Sequence, residues 1–298
     1  MKEPIFTGSG VAIVTPFTKA VVDLPALGKL IDFQLANGTD AIIVCGTTGE
    51  SSTMTYRERM NTIEYCIEHV DGRVPVIAGT GSNSTENSLA LSRDAEAAGA
   101  DGLLLVTPYY NKATQLGLIR HYNKIADAVD IPMILYNVPS RTGVSFTAET
   151  YAVLAKHPSI VGVKEASGNF SLIQKTRNLC PEDFYIWSGN DDETVCICAL
   201  GGVGVISVAA NVMPKEMHLL THLCLTDRFQ EAGRLQLRLK ELCDALFCEV
   251  NPIPVKTALN LMGYGVGELR LPLCEMSPEH LEQLKHALNT YHLLKKES

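Results

Sequence analysis

Several things are scarce in this 298-residue sequence, and each scarcity removes a class of protein. Basic charge is one: 25 Lys and Arg against 33 Asp and Glu leave a net charge of -8. That balance argues against nucleic acid or an anionic membrane surface as the main partner, since both need a basic footprint. Long apolar runs are another. None reaches about 18 residues without polar interruption, and MKEPIFTGSG at the start lacks the apolar run of a signal peptide, so a soluble, unexported, cytoplasmic protein is expected. Cysteine is present but unpaired in pattern. The nine (Cys45, Cys66, Cys180, Cys196, Cys198, Cys224, Cys243, Cys248 and Cys274) are an odd number without zinc-site or disulfide-framework spacing, and read as reduced core cysteines. No strand candidate is followed by G-x-G-x-x-G at a helix start, which weakens a dinucleotide-binding open sheet. What remains, 46% hydrophobic and 19% charged, excludes disorder and leaves a sizeable core with a small-molecule site.

Short runs rich in Val, Ile and Leu recur at 10–17, 41–46, 75–80, 102–108, 132–137, 160–167, 184–190 and 202–208. Segments of helical period lie between them, such as LPALGKLIDFQLANG and TENSLALSRDAEAAGA, several closed by glycine. Continuous apolar strands joined by helices imply a parallel sheet covered on both faces. Eight such units fit an α/β fold closed as a (β/α)8 TIM barrel over residues 1–224. After about residue 224 the strands stop, and 225–298 reads as a C-terminal helical region that packs beside the barrel or between subunits.

In such a barrel the chemistry sits where strands end. The polar residues there are Thr15, Thr47, Thr48, Glu50, Thr80, Thr107, Tyr109, Tyr110, Tyr136, Asn137, Lys164, Glu165, Ser188, Asn190 and Ser207. No histidine is among them. Seven of the eight fall on helical segments and His157 precedes a strand on the opposite face, which argues against a histidine-ligated metal or a histidine base. Lys164 is the residue that asks for a reason, because burying an ammonium costs several kcal/mol. Alternation would turn Lys164, Gly162 and Ala166 into the barrel and Val161, Val163 and Glu165 toward the helices or rim, leaving room around the amine. Tyr136 falls at a similar height on the preceding strand, within reach across the ~4.8 Å strand spacing. An apolar pocket favours the neutral, nucleophilic amine and a phenol beside it shuttles protons, which suggests Schiff-base chemistry on a carbonyl substrate. The bland reading is a rim lysine paired with Glu165.

Other features have two readings each. GTTGESS (46–52) is either a turn presenting N–H groups and hydroxyls to a carboxylate, or an ordinary capped turn. Arg141 either grips a carboxylate or is a solvated loop residue. GGVGV (201–205) begins a strand on the wrong face for a phosphate loop. Asp191 and Asp192 read as caps rather than metal ligands. His218 and His222 lack the Glu of H-E-x-x-H, and Cys196 and Cys198 are too close for C-x-x-C.

GTTGES, TPYYN (107–111), ILYNVPSRTG (134–143), VGVKEASGN (161–169), SGND (188–191) and NPIPVKTAL (251–259), in this order and spacing, resemble the 4-hydroxy-tetrahydrodipicolinate synthase family over essentially the whole chain. The resemblance implies condensation of pyruvate with L-aspartate 4-semialdehyde. Lys164 would form the imine. Tyr136, Thr47 and Tyr110 would relay protons, with Tyr110 supplied by a neighbouring subunit. Thr47 and Thr48 would hold the pyruvate carboxylate, Arg141 that of the semialdehyde, and Gly189 and the Ile206 carbonyl would line the pocket. It further implies no metal or organic cofactor and a homotetramer built as a dimer of dimers. A sibling N-acetylneuraminate lyase or 2-keto-3-deoxy sugar-acid aldolase is the alternative; the second Thr of GTTGE and the R-T-G after NVPS favour the synthase. An effector site for L-lysine is matched by Ser51, Asn83 and Tyr109. It is departed from at Tyr56 and Arg59, which stand at histidine positions, and at Asn87, which stands at a glutamate position beside Glu86. Weak feedback by lysine is therefore expected.

Overall fold

The structure, a computed structural model, describes residues 1–294. Its strands are β1 (Gly8–Ala12), β2 (Phe17–Thr18), β3 (Val21–Val22), β4 (Ala41–Val44), β5 (Val76–Gly79), β6 (Gly102–Val106), β7 (Met133–Asn137), β8 (Ile160–Glu165), β9 (Tyr185–Ser188) and β10 (Gly204–Ser207). Eight of them close into a parallel barrel in the order β1, β10, β9, β8, β7, β6, β5, β4. All eight apolar runs of the sequence became barrel strands. The small antiparallel β2–β3 pair was not anticipated, because two-residue strands leave no periodic signal.

The helices are α1 (Leu24–Ala36), α2 (Tyr56–Val70), α3 (Thr85–Ala97), α4 (Gln115–Ala126), α5 (Pro139–Thr142), α6 (Ala148–Leu154), α7 (Phe170–Leu179), α8 (Thr194–Ala199), α9 (Pro214–Leu225), α10 (Phe229–Leu246), α11 (Ile253–Leu261) and α12 (Pro278–Thr290). Their starts follow local chemistry. Thr55 opens α2 as a full capping box with Glu58, and Asp23, Ser84, Thr114, Thr147, Asn169 and Ser277 accept N–H groups at the starts of α1, α3, α4, α6, α7 and α12. The helical pattern read through Leu294 stops at Thr290, so His292 lies in a turn beyond α12.

Two apolar cores follow from strand alternation. Side chains such as Ala12, Ile43, Ile77, Leu104, Ile134, Trp187 and Ile206 fill the barrel, while Val11, Ile42, Ala78, Leu103, Leu135, Val163 and Val205 face the helices. The outer core runs on without a break into Leu239, Leu242, Val255, Leu259 and Leu284 of α10 to α12. The C-terminal helices thus share the barrel's core, and a bridge between Phe17 and Gly267 ties them to its mouth. The nine cysteines are all free thiols. Cys45, Cys66, Cys198, Cys224 and Cys243 are buried, but Cys180 and Cys248 are half-buried and Cys196 and Cys274 exposed, so the core reading holds for five.

The expected alternation fails at one point on β8. Met133 pairs with Ile160 but Ile134 pairs with Gly162, so Val161 is an extra residue in a bulge. It therefore joins the barrel interior instead of facing the helices as alternation would have it. Gly162 does face inward, yet it leaves no room for the amine. A Cβ there would lie 2.1 Å from the Tyr185 carbonyl oxygen and 2.9 Å from the Trp187 ring, so the glycine accommodates the neighbouring strand.

Candidate active site

Register places Tyr136 on β7 directly beside Lys164 on β8. Both are buried, and the Lys164 Nζ lies 4.4 Å from the centroid of the Tyr136 ring. Glu165 is no partner for this amine. It turns outward, as alternation requires, and accepts from Asn137 Nδ2 at 3.0 Å, the Tyr151 hydroxyl at 3.1 Å and the Ser167 N–H at 2.8 Å. The bland reading of Lys164 as a rim residue paired with Glu165 is thereby overturned. Burial lowers the Lys164 ammonium to about 8, the nearby Arg141 adds to the effect, and Asp191 opposes it. Burial raises the Tyr136 phenol, while Arg141 and Thr47 act in the opposite sense.

Asp191 was read as a helix cap. Instead its Oδ2 accepts the N–H groups of Val208 (3.1 Å) and Ala209 (2.9 Å) after β10, its Oδ1 is buried with no hydrogen-bond partner among the described residues, and its charge reaches Lys164. The only sequence signal for that role was its position three residues past the end of a barrel strand.

Tyr136 is also a wall of a cavity of about 230 Å³ at the mouth, lined by Thr47, Ser51, Arg59, Tyr109, Arg141 and Thr142 among others. Among the described residues no carboxylate or lysine lines it, so its two guanidinium groups give it a positive character suited to anionic substrates. Arg141 sits on the single-turn helix α5, and its Nη2 donates to the Asn251 carbonyl at 3.2 Å. Thr48 is buried, and Asn251 Nδ2 donates to its Oγ1 at 3.0 Å. Asn251 belongs to the NPIPVKTAL motif, and nothing local marks it: the C-terminal region brings it to the mouth. Thr142, which also lines the cavity, is held by the Thr107 hydroxyl at 3.0 Å.

Gly189 packs against β8. Its N–H donates to the Glu165 carbonyl at 2.7 Å, and a Cβ on it would meet Ala166 at 2.6 Å. Ile206 is buried inside the barrel, paired with Gly10. Tyr110 is not brought to this chain's own site. It is 91% exposed, with φ of 70°. Of the effector set, Ser51 and Tyr109 line the cavity together with Arg59, whereas the Asn83 carbonyl accepts from Asn111. Tyr56 is exposed and bonded to Asp94, Asn87 is exposed, and Glu86 is exposed and paired with Lys124. His218 pairs with Asp40 at 2.9 Å, away from the mouth, as a structural contact.

Comparison with known proteins agrees in extent. A family model described as the dihydrodipicolinate synthetase family matches residues 5–291. The chain is 54% identical over 293 residues to the 4-hydroxy-tetrahydrodipicolinate synthase of Thermoanaerobacter pseudethanolicus, covering 98% of this chain and 99% of that one. It is 50% identical to the enzyme of the same name from Clostridium novyi, covering 99% of each. Among solved structures it is similar to the dihydrodipicolinate synthase of Aquifex aeolicus, with a TM-score of 0.96 at 47% identity over 98% of this chain and 100% of the other.

Proposed function

The chain belongs to the dihydrodipicolinate synthetase family, and from that premise we propose that its barrel mouth condenses pyruvate with L-aspartate 4-semialdehyde to 4-hydroxy-tetrahydrodipicolinate. The observation that carries the reading is the buried Lys164 amine, lowered to about 8 and held over the Tyr136 ring. Its lone pair adds to the C2 carbonyl of pyruvate, and loss of water leaves an iminium. The iminium draws electrons from C3, a proton leaves, and the resulting enamine attacks the aldehyde carbon of the second substrate. That substrate's own amine then attacks the imine carbon, closing the ring and releasing Lys164. The electron sink is the lysine imine itself, so the sequence of steps needs no metal or organic cofactor.

The proton transfers fall to Tyr136 and Thr47 in this chain and to Tyr110 of a neighbouring subunit. Tyr110's exposure and left-handed backbone suit a residue used across a boundary. Thr47 and Thr48 hold the pyruvate carboxylate and Arg141 that of the semialdehyde, with Gly189 and Ile206 shaping the floor. We take the assembly as a dimer of dimers. Among the described residues no helix is long and apolar enough to cross a membrane, and the free thiols suit a cytoplasmic setting.

A turnover assay offering pyruvate with either the semialdehyde or the sugar aldehydes of the sibling lyases tests the substrate assignment. The semialdehyde should be preferred by orders of magnitude in kcat/KM. Equal or better use of a sugar aldehyde would overturn the assignment. Arg141→Ala should damage use of the semialdehyde far more than imine formation with pyruvate, because its guanidinium grips a carboxylate present only on that partner. Equal loss of both steps would contradict its role.

A further inference from the structure

NPIPVKTAL carries a lysine, and GTTGES a glutamate, for which the reaction above has no use. The two meet. Lys256 and Glu50 are each 1% exposed, and the Lys256 Nζ lies 2.7 Å from Glu50 Oε1. The same ammonium donates to the Glu268 carbonyl at 2.6 Å and lies 4.5 Å from the centre of the Phe17 ring. The other carboxylate oxygen of Glu50 accepts the Arg270 N–H at 3.0 Å. Arg270 in turn covers the Phe17 ring at 4.1 Å and donates to the Thr53 carbonyl at 3.1 Å and to Glu58. Apart from the Lys256–Glu268 bond within the C-terminal region, these hydrogen bonds join that region to the stretch that follows β4.

A buried ion pair is a poor device for stability, because the desolvation of two charges consumes most of the Coulombic gain, and an apolar pair of the same volume usually does as well. Its merit is directional. Glu50 directly follows Thr47, Thr48 and Gly49, its N–H donates to the Thr47 carbonyl at 3.0 Å, and it sits in the left-handed region at φ 52°. A non-glycine residue keeps that conformation only where its surroundings enforce it. The rest of the loop is pinned as well: Thr15 Oγ1 donates to the Gly49 carbonyl at 2.7 Å, and Asn251, five residues before Lys256, donates to Thr48 Oγ1.

We propose that Lys256 and Glu50 are positioning residues: the buried pair fixes the turn from Thr47 to Glu50 so that both threonines meet the pyruvate carboxylate. The proposal rests on the function argued above. Borohydride trapping of pyruvate on Lys164 in the wild-type enzyme reports on that reading separately.

The test compares Glu50→Gln, and Glu50→Gln combined with Lys256→Met, with the wild type. In the double variant the volumes are kept and no lone charge is left, so its melting temperature should stay within a few degrees. Its KM for pyruvate should rise by about ten-fold or more while KM for the semialdehyde moves by less than about two-fold, since misplacing a binding group costs the substrate it holds. Glu50→Gln alone keeps an acceptor for Lys256 or Arg270 and should show a smaller rise in the same direction. A folded double variant with an unchanged pyruvate KM would overturn the proposal, as would a lower melting temperature with both KM values unmoved. If the double variant does not fold, an unchanged pyruvate KM in Glu50→Gln alone overturns it.

Discussion

At the level of single residues, the chemistry turns on an amine that is neutral far below its ordinary range. A lysine with the usual value near 10.5 is about one part in a thousand neutral at pH 7.5, whereas one near 8 is about a quarter neutral. Pyruvate kcat/KM should therefore rise with pH and level off above about 8. Asp191 is the negative group that opposes this lowering, with Arg141 acting in the other direction, so Asp191→Asn should move the rising limb to lower pH. A shift to higher pH would show that Asp191 acts in some other way. The same burial has a cost for folding. Because the folded ammonium gives up its proton more readily than the unfolded one, stability rises with pH between about 8 and 10.5 and the full penalty applies below 8. Lys164→Met should abolish turnover yet raise the melting temperature measured by calorimetry at pH 7; a lower midpoint would mean that the Tyr136 contact outweighs desolvation. Strand alternation made the Lys164–Tyr136 pairing legible in advance, since it needed only two registered strands. Val161 escaped the same argument because a bulge changes the period at one residue, and Asp191 because its partners lie beyond the next strand.

At the level of elements, α2 and α3 decide whether this cavity accepts a lysine effector. Arg59 of α2 lines it beside Ser51 and Tyr109 and donates through Nε to the Gly79 carbonyl at 3.1 Å, so an effector ammonium entering there would meet a cation already in place. On α3, Asn87 offers an amide in place of a carboxylate, and Glu86, the one residue placed to compensate, is turned outward to Lys124. Losing a charge-assisted partner costs roughly 1.5 to 3 kcal/mol, about ten-fold or more in affinity. Millimolar L-lysine should leave the enzyme mostly active in a titration of initial rate at subsaturating pyruvate. Strong inhibition below about 1 mM would mean that other residues have rebuilt the site. Element boundaries were legible from caps and periodicity, as Thr55 with Glu58 shows for α2. The contacts between elements were not: nothing in the sequence near Lys256 or Asn251 indicates that both reach the turn after β4, more than 200 residues away.

For the whole molecule, eight apolar runs separated by helical segments were enough to give the barrel, because a continuous run buried on both faces has few other places to go. What periodicity left undecided was how the C-terminal helices sit, and the shared core answers it. The proposed oligomer would supply what this chain does not bring to its own site, a second tyrosine at the mouth. If Tyr110 serves a neighbour, mixing inactive Tyr110→Phe and Lys164→Ala subunits should restore part of the activity, since one site in a hybrid collects intact residues from both chains. No recovery in verified hybrids would make Tyr110 a residue of its own subunit or of none. All of this depends on one covalent bond. Borohydride reduction of the intact enzyme with pyruvate, followed by peptide mass mapping, should add the mass of a reduced pyruvate imine to the peptide containing Lys164 and to no other. The adduct should vanish in Lys164→Ala; its persistence in that variant, or its appearance on a different lysine, would contradict the mechanism.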